Sequence, residues 1–221
     1  MNDDMALFLI CVAIILYVVY QYSKRGGSYT AEVPIGPGTY RIGEDLDPGK
    51  CDLVAVQGGG DICIKERGNG VWNNPFKLAA DNPTAPSRYR NMTLHRHDIL
   101  EVNGKVQLML QPPTVIRVGA DSELTLGTYQ FGVDILPPAK YDLTAEAGDG
   151  QFTFFEPKAT EFSVFQDMAL SADGKTSAYN NLLCEDGSRM VIDGTLKLKL
   201  KKSKKQRGKM QKMLDFVNQD P

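Results

Sequence analysis

The 221-residue chain reads as a mainly β protein. An N-terminal transmembrane helix precedes two tandem antiparallel β-sandwich or barrel-like repeats, and a short basic tail with helical spacing follows them. Three observations predict this class. The stretch Gly38-Thr39-Tyr40-Arg41-Ile42-Gly43-Glu44-Asp45-Leu46 returns as Gly127-Thr128-Tyr129-Gln130-Phe131-Gly132-Val133-Asp134-Ile135, the mark of an internal duplication. Within both copies apolar residues alternate at a period of two between glycine turns, as half-buried strands require. No helical period of any length interrupts either copy, which leaves a small antiparallel β unit as the architecture able to bury these faces.

The register of the duplication holds over a whole structural unit. After one inserted residue near Pro137-Pro138, Cys51-Asp52-Leu53 faces Tyr141-Asp142-Leu143, and Gly58 and Gly60 face Gly148 and Gly150. Ile62 and Ile64 face Phe152 and Phe154; Tyr89 and Asn91 face Tyr179 and Asn181; residues 103–110 face 193–200. The expected layout is an anchor at residues 1–25, a linker at 26–37, a first repeat at 38–110, a connector at 111–126, a second repeat at 127–200 and a tail at 201–221. Each repeat is small for an independent core, so the two are expected to pack on each other.

Taken in order, the apolar run of residues 5–22 reaches about 27 Å as a helix, close to the thickness of a hydrocarbon core. The start Asn2-Asp3-Asp4, the Tyr-rich end and the lack of an Ala-x-Ala-like site after the run argue for an uncleaved anchor over a signal peptide. Lys24 and Arg25 behind the run place the larger domain in the cytoplasm by the positive-inside rule. In the first repeat, residues 53–56 and 62–64 read as strands joined through Gly58-Gly59-Gly60. Residues 99–102 and 106–110 read as a hairpin turning at Asn103-Gly104, a strong two-residue turn signal. Asp193-Gly194 plays the same part before Leu196-Lys197-Leu198-Lys199-Leu200, whose leucines face a core while the lysines point out. Residues 68–86 and 158–176 differ most between the copies, and divergent loops on a shared scaffold are where partner contacts are expected.

Nine of the 25 basic residues fall between positions 197 and 212 with no acidic residue among them. Met210, Met213, Leu214 and Val217 then share one face of a helix. A solvated basic tail is the plainer expectation. The alternative is contact with anionic lipid, worth roughly 1 kcal/mol per charge close to the surface. The acidic body and the lack of a reader motif argue against nucleic acid as a partner.

Chemistry-bearing motifs are sparse. His95-Arg96-His97-Asp98 gathers two histidines, but Glu185 and Gly187 replace them in the second copy, so a solvated turn is expected there. Asp45 and Asp134 are expected to cap backbone N–H groups in Asx-type turns. Gly58-Gly59-Gly60 lacks the lysine and following helix of a phosphate loop and is read as a turn. Cys51 and Cys63 can pair across a hairpin, although Tyr141 and Thr153 in the second copy make buried free thiols the default. Cys11 sits in the apolar run. The sole tryptophan, Trp72, is expected to pack in its loop; exposed, it offers a partner or sugar platform.

The recurring Gly-x-Asp-[Leu/Ile]-x-Pro, followed by an Asp-Leu strand and a Gly-x-Gly turn, resembles a β-rich repeat of uncharacterised, membrane-tethered bacterial proteins. Pro48-Gly49-Lys50-Cys51 and Pro137-Pro138-Ala139-Lys140-Tyr141 each keep only part of that repeat's Pro-Ala-Gly-x-Tyr continuation. The resemblance implies a β-sandwich-like fold and no defined activity. The expected function is a single-pass, membrane-anchored interaction scaffold without catalytic role or cofactor. Its candidate contacts with a protein of unspecified kind are Trp72, Phe76, Lys201, Lys202, Lys204, Lys205 and Arg207. The alternative is an extracytoplasmic protein that binds carbohydrate or cell envelope. An enzyme would need the shared polar residues (Asp45/Asp134, Asp52/Asp142, Tyr89/Tyr179 and Asn91/Asn181) to converge in a cleft; a structural role is expected for all eight.

Overall fold

A computed structural model of the chain describes residues 27–65, 75–118, 122–157, 166–174 and 177–203. These residues form a mainly β structure in several sheets, with no helix among them. The first eight strands are β1 (Val33–Ile35), β2 (Gly38–Arg41), β3 (Gly49–Gln57), β4 (Gly59–Lys65), β5 (Phe76–Ala79), β6 (Arg88–Leu94), β7 (Ile99–Val102) and β8 (Gln107–Gln111). The short β9 (Ile116–Arg117) follows. Then come β10 (Ser122–Leu124), β11 (Gly127–Gln130), β12 (Ile135–Leu136), β13 (Ala139–Ala147), β14 (Asp149–Phe155), β15 (Gln166–Ser171), β16 (Ala178–Cys184), β17 (Arg189–Ile192) and β18 (Lys197–Lys202).

The pairing separates into two sandwiches. Sheet β1-β8-β3-β6 and sheet β2-β7-β4-β5 enclose one core, in which Leu53, Ile62, Leu78, Leu100 and Leu108 are fully buried. Sheet β10-β18-β13-β16 and sheet β11-β17-β14-β15 enclose a second, filled by Tyr129, Phe131, Tyr141, Phe152 and Phe154. Eight antiparallel strands ordered 1-8-3-6 over 2-7-4-5 form a jelly roll, and the second set runs in the same order. Alternation explains which side chains fill the cores: Leu196, Leu198 and Leu200 are buried, while Lys197 is exposed.

The glycine turns are not hairpins. Strands β3 and β4 belong to opposite sheets, as do β7 and β8, so Gly58 and Asn103-Gly104 carry the chain across the sandwich. The two corners lie against each other. Asp61 and Asn103 exchange backbone hydrogen bonds (3.2 and 2.9 Å), and the Lys105 N–H donates to the Gly59 carbonyl (3.0 Å). A Cβ on Gly60 would stand 1.9 Å from the Asn103 oxygen, so each corner needs the other's glycine. Gly148, Gly150 and Gly194 repeat the arrangement, with Gly150 2.0 Å from the Asp193 oxygen by the same measure. With β3 and β4 in opposite sheets there is no hairpin for Cys51 and Cys63 to bridge; both are buried.

Element bounds also differ from the sequence reading. Strand β1 lies inside the stretch read as linker, where Pro34 masked the strand pattern; an edge strand tolerates proline. β9 and β10 lie inside the stretch read as connector, and β18 runs two residues into the expected tail. Among the described residues no helix is long and apolar enough to cross a membrane. The expected anchor at residues 5–22 and the helical tail from residue 204 lie outside the described residues.

Candidate functional site

The two sandwiches meet at the edges of two strands. β6, the outer strand of one first-half sheet, pairs in parallel with β11, the outer strand of one second-half sheet, joining them into one eight-stranded sheet. The pairing rests on a single register contact, Gly127 opposite Arg90. A Cβ on Gly127 would stand 2.5 Å from the Arg90 carbonyl oxygen and 2.8 Å from its nitrogen, so only glycine lets the backbones meet. Immediately beside it the Arg90 N–H donates to the Leu126 carbonyl at 3.0 Å.

Side chains extend this contact on both flanks. The Tyr89 and Thr128 hydroxyls are 2.9 Å apart. Lys50 Nζ lies 2.5 Å from Asp134 Oδ2, an ion pair with Asp134 almost wholly buried. The Ile116 N–H donates to the Asp134 carbonyl (2.7 Å), and β9 pairs with β12. The Leu126 side chain belongs to the first core although it stands one residue before β11. Burial pushes the Tyr89 phenol up to about 12, partly offset by its bond to Thr128. Tyr129 is raised to about 12 for the same reason, so both are neutral hydrogen-bonding groups at physiological pH.

Asn91 follows Arg90 on β6, next to the joint. Its backbone is left-handed (φ 56°), and its N–H donates to Asp52 Oδ1 at 2.8 Å. This closes the bulge where β3 and β6 slip register between Cys51 and Leu53. Asp52 is itself buried and also accepts the Thr114 hydroxyl at 2.9 Å. The side-chain amide of Asn91 and Nε of Arg90 are buried without a protein hydrogen-bond partner. Beside the joint runs an open groove of about 690 Å³ between residues 79–88 of the first half and 194–197 of the second. Arg90 and Lys197 line it together with Asp81, so it can offer hydrogen bonds and positive charge to a polar partner.

The expected site residues are dispersed. Phe76 is half-buried on β5 with its ring 4.5 Å from that of Tyr89, so it braces the joint from within the first sandwich. Lys201 and Lys202 are exposed on β18, opposite Asp142 and Tyr141 of β13. Trp72, Lys204, Lys205 and Arg207 lie outside the described residues. His95 and His97 occupy a turn in which Asp98 Oδ2 accepts the His95 N–H at 2.8 Å. Among the described residues no three metal-ligating side chains gather. Sequence reasoning missed Lys50, Leu126 and Thr128. Thr128 lies in the second copy of the Gly-Thr-Tyr motif, which matches the first copy so closely that no local signal marks it for burial.

Among the described residues, fold and joint together define a mainly β protein of two jelly-roll sandwiches joined edge to edge. No protein-family model matches the chain, and no curated protein matches it.

Proposed function

We propose that the chain is a single-pass, membrane-anchored scaffold without catalytic role, built from two tandem copies of one β module that present binding surfaces to a protein partner. The observation that carries this reading is where the polar residues common to both halves are engaged. Asp45 Oδ2 accepts the Arg41 N–H (2.7 Å) and Asp134 Oδ2 the Gln130 N–H (2.8 Å). Asp52 and Asp142 accept the N–H groups of Asn91 and Asn181 (2.8 and 2.9 Å). Tyr89 bonds Thr128, and the Tyr179 ring lies edge-on to Phe152 with centroids 6.0 Å apart. Side chains committed to turns, bulges and packing serve the fold, and they leave recognition to the strand edges and divergent loops. The apolar run at residues 5–22 supports the anchor, Lys24 and Arg25 support a cytoplasmic domain, and the basic tail supports contact with anionic lipid.

Topology is the test. Cys51, Cys63 and Cys184 are buried, so a cysteine introduced at the exposed Val133 provides a selective handle for a reagent that cannot cross membranes. Labelling only after permeabilisation, with the chain in the membrane fraction, is the expected result. Labelling in intact cells would overturn the cytoplasmic placement and bring forward the envelope- or carbohydrate-binding alternative. Recovery of the full chain in the soluble fraction would overturn the anchor.

A further inference from the structure

We propose that the chain assembles head to tail with further copies of itself, by repeating between molecules the edge joint it makes internally. The internal joint uses the β6 edge of the first sandwich and the β11 edge of the second. The corresponding edges on the outer ends are β16, the last strand of sheet β10-β18-β13-β16, and β2, the first strand of sheet β2-β7-β4-β5. Neither outer edge pairs with another described strand, and a contact of two different patches leaves one of each open after every joining.

The outer edges carry the residues the joint needs. Gly127 and Thr128 have counterparts in Gly38 and Thr39; Tyr89, Lys50 and Asp134 have counterparts in Tyr179, Lys140 and Asp45. The counterparts differ from the joint residues in exposure. Gly127 is buried and Thr128 half-buried, whereas Gly38 and Thr39 are exposed. Asn91 and Asp134 are buried, whereas Asn181 and Asp45 are exposed, although Asn181 keeps the left-handed backbone (φ 61°) and the same bond to its aspartate.

Gly38 is the most telling of these positions. Its φ of +159° and the +153° of Gly127 favour glycine at both positions, so the two differ in their surroundings and not in their backbone. A Cβ there would meet nothing nearer than the Tyr40 ring at 3.6 Å. At Gly127 the same glycine is required because another strand's backbone arrives within 3 Å. Set against a neighbour's β16, Gly38 would lie opposite Asn180, whose N–H would reach the Pro37 carbonyl as Arg90 reaches Leu126. Thr39 would meet Tyr179, and Asp45 would meet Lys140. The edge is also undefended: none of the seven residues of β16 is charged, and Leu183 on it is 51% exposed, whereas isolated edges are ordinarily guarded by charge or proline. Pro37 and Asn180 replace Leu126 and Arg90, and the outer contact lacks the tether of a shared chain. The assembly is therefore weaker than the internal joint and depends on concentration.

The test uses the full chain in mild detergent, followed by sedimentation velocity over roughly a hundredfold range of concentration. The wild-type mass is expected to rise beyond a dimer. Thr39→Arg sets a bulky charge on the exposed β2 edge, and Asn180→Pro removes the outward N–H of β16 at an edge position that tolerates proline. Each alone is expected to weaken association about tenfold or more. An equimolar mixture of the two retains one intact edge of each kind and is expected to form dimers and stop there. Thermal unfolding checks that both variants fold, with Lys140→Glu as a second block on the β16 side. A constant wild-type mass, variants that associate like the wild type, or a mixture that fails to dimerise would each overturn the proposal. The test is independent of topology, so its failure leaves the anchoring result standing.

Discussion

Replacing Gly60 by alanine tests the crossed-corner reading of the glycine motifs. The added methyl lands 1.9 Å from the Asn103 carbonyl oxygen and 2.7 Å from Val106 Cγ1, so the two corners must part. Parting them disrupts the two backbone hydrogen bonds exchanged by Asp61 and Asn103 and the one from Lys105 to Gly59. At about 1 kcal/mol net for each bond, plus about 1–3 kcal/mol for crowding Val106, the loss is large. Reduced freedom of the unfolded chain returns about 0.4–1 kcal/mol, leaving a destabilisation of about 3–6 kcal/mol. Gly36, with nothing within 4 Å of its added Cβ, is the control and should change by less than about 1 kcal/mol in either direction. Urea unfolding followed by circular dichroism measures both. A Gly60→Ala midpoint equal to that of Gly36→Ala would refute the reasoning, since a hairpin glycine would have no second corner to strike.

Other outcomes follow from the same geometry. Asp52→Ala should cost about 2–4 kcal/mol, because it orphans the buried Asn91 N–H and the Thr114 hydroxyl. Asp142→Ala, whose partner Asn181 is exposed, should cost about half as much by the same urea assay. Lys50→Ala leaves the nearly buried Asp134 without its ion-pair partner and should destabilise by about 3 kcal/mol, little relieved by added salt. Burial pushes the Cys51 and Cys184 thiols up to about 12 from an ordinary value of 9.0. The unfolded chain therefore releases these protons first. Stability is fully present below pH 9 and falls as pH rises through that window towards 12, and the Cys51→Ala/Cys184→Ala double variant should flatten the fall in urea midpoints.

Much of the fold was legible because its signals are local or repeated. The alternating leucines of residues 196–200, the paired Ile62/Ile64 and Phe152/Phe154, and the capping roles of Asp45 and Asp134 all follow from periodicity or turn chemistry. Asn103-Gly104 and Gly58 misled because a tight turn specifies a change of direction, not which strand lies alongside afterwards. That choice is set by β6 and β8, distant in sequence, which take up both flanks of β3. In sequence the glycines look like separate turns, whereas in the fold each is the steric reason for another. The joint was the least legible part. Gly38 and Gly127 are identical in sequence, and nothing local distinguishes the one that meets Arg90 from the one on an open edge. Pro34 hid β1 for a simpler reason, since an edge strand needs no inward N–H at every position.

Strands β6 and β11 join two sandwiches into one sheet, and amide hydrogen exchange reads this joint residue by residue. In dilute protein the Arg90 N–H, bonded to the Leu126 carbonyl, should exchange slowly, with an opening free energy near that of its sandwich. Its counterpart at Asn180, on an edge that pairs with no other described strand, should exchange orders of magnitude faster. Fast exchange at Arg90, equal to that at Asn180, would contradict the joint.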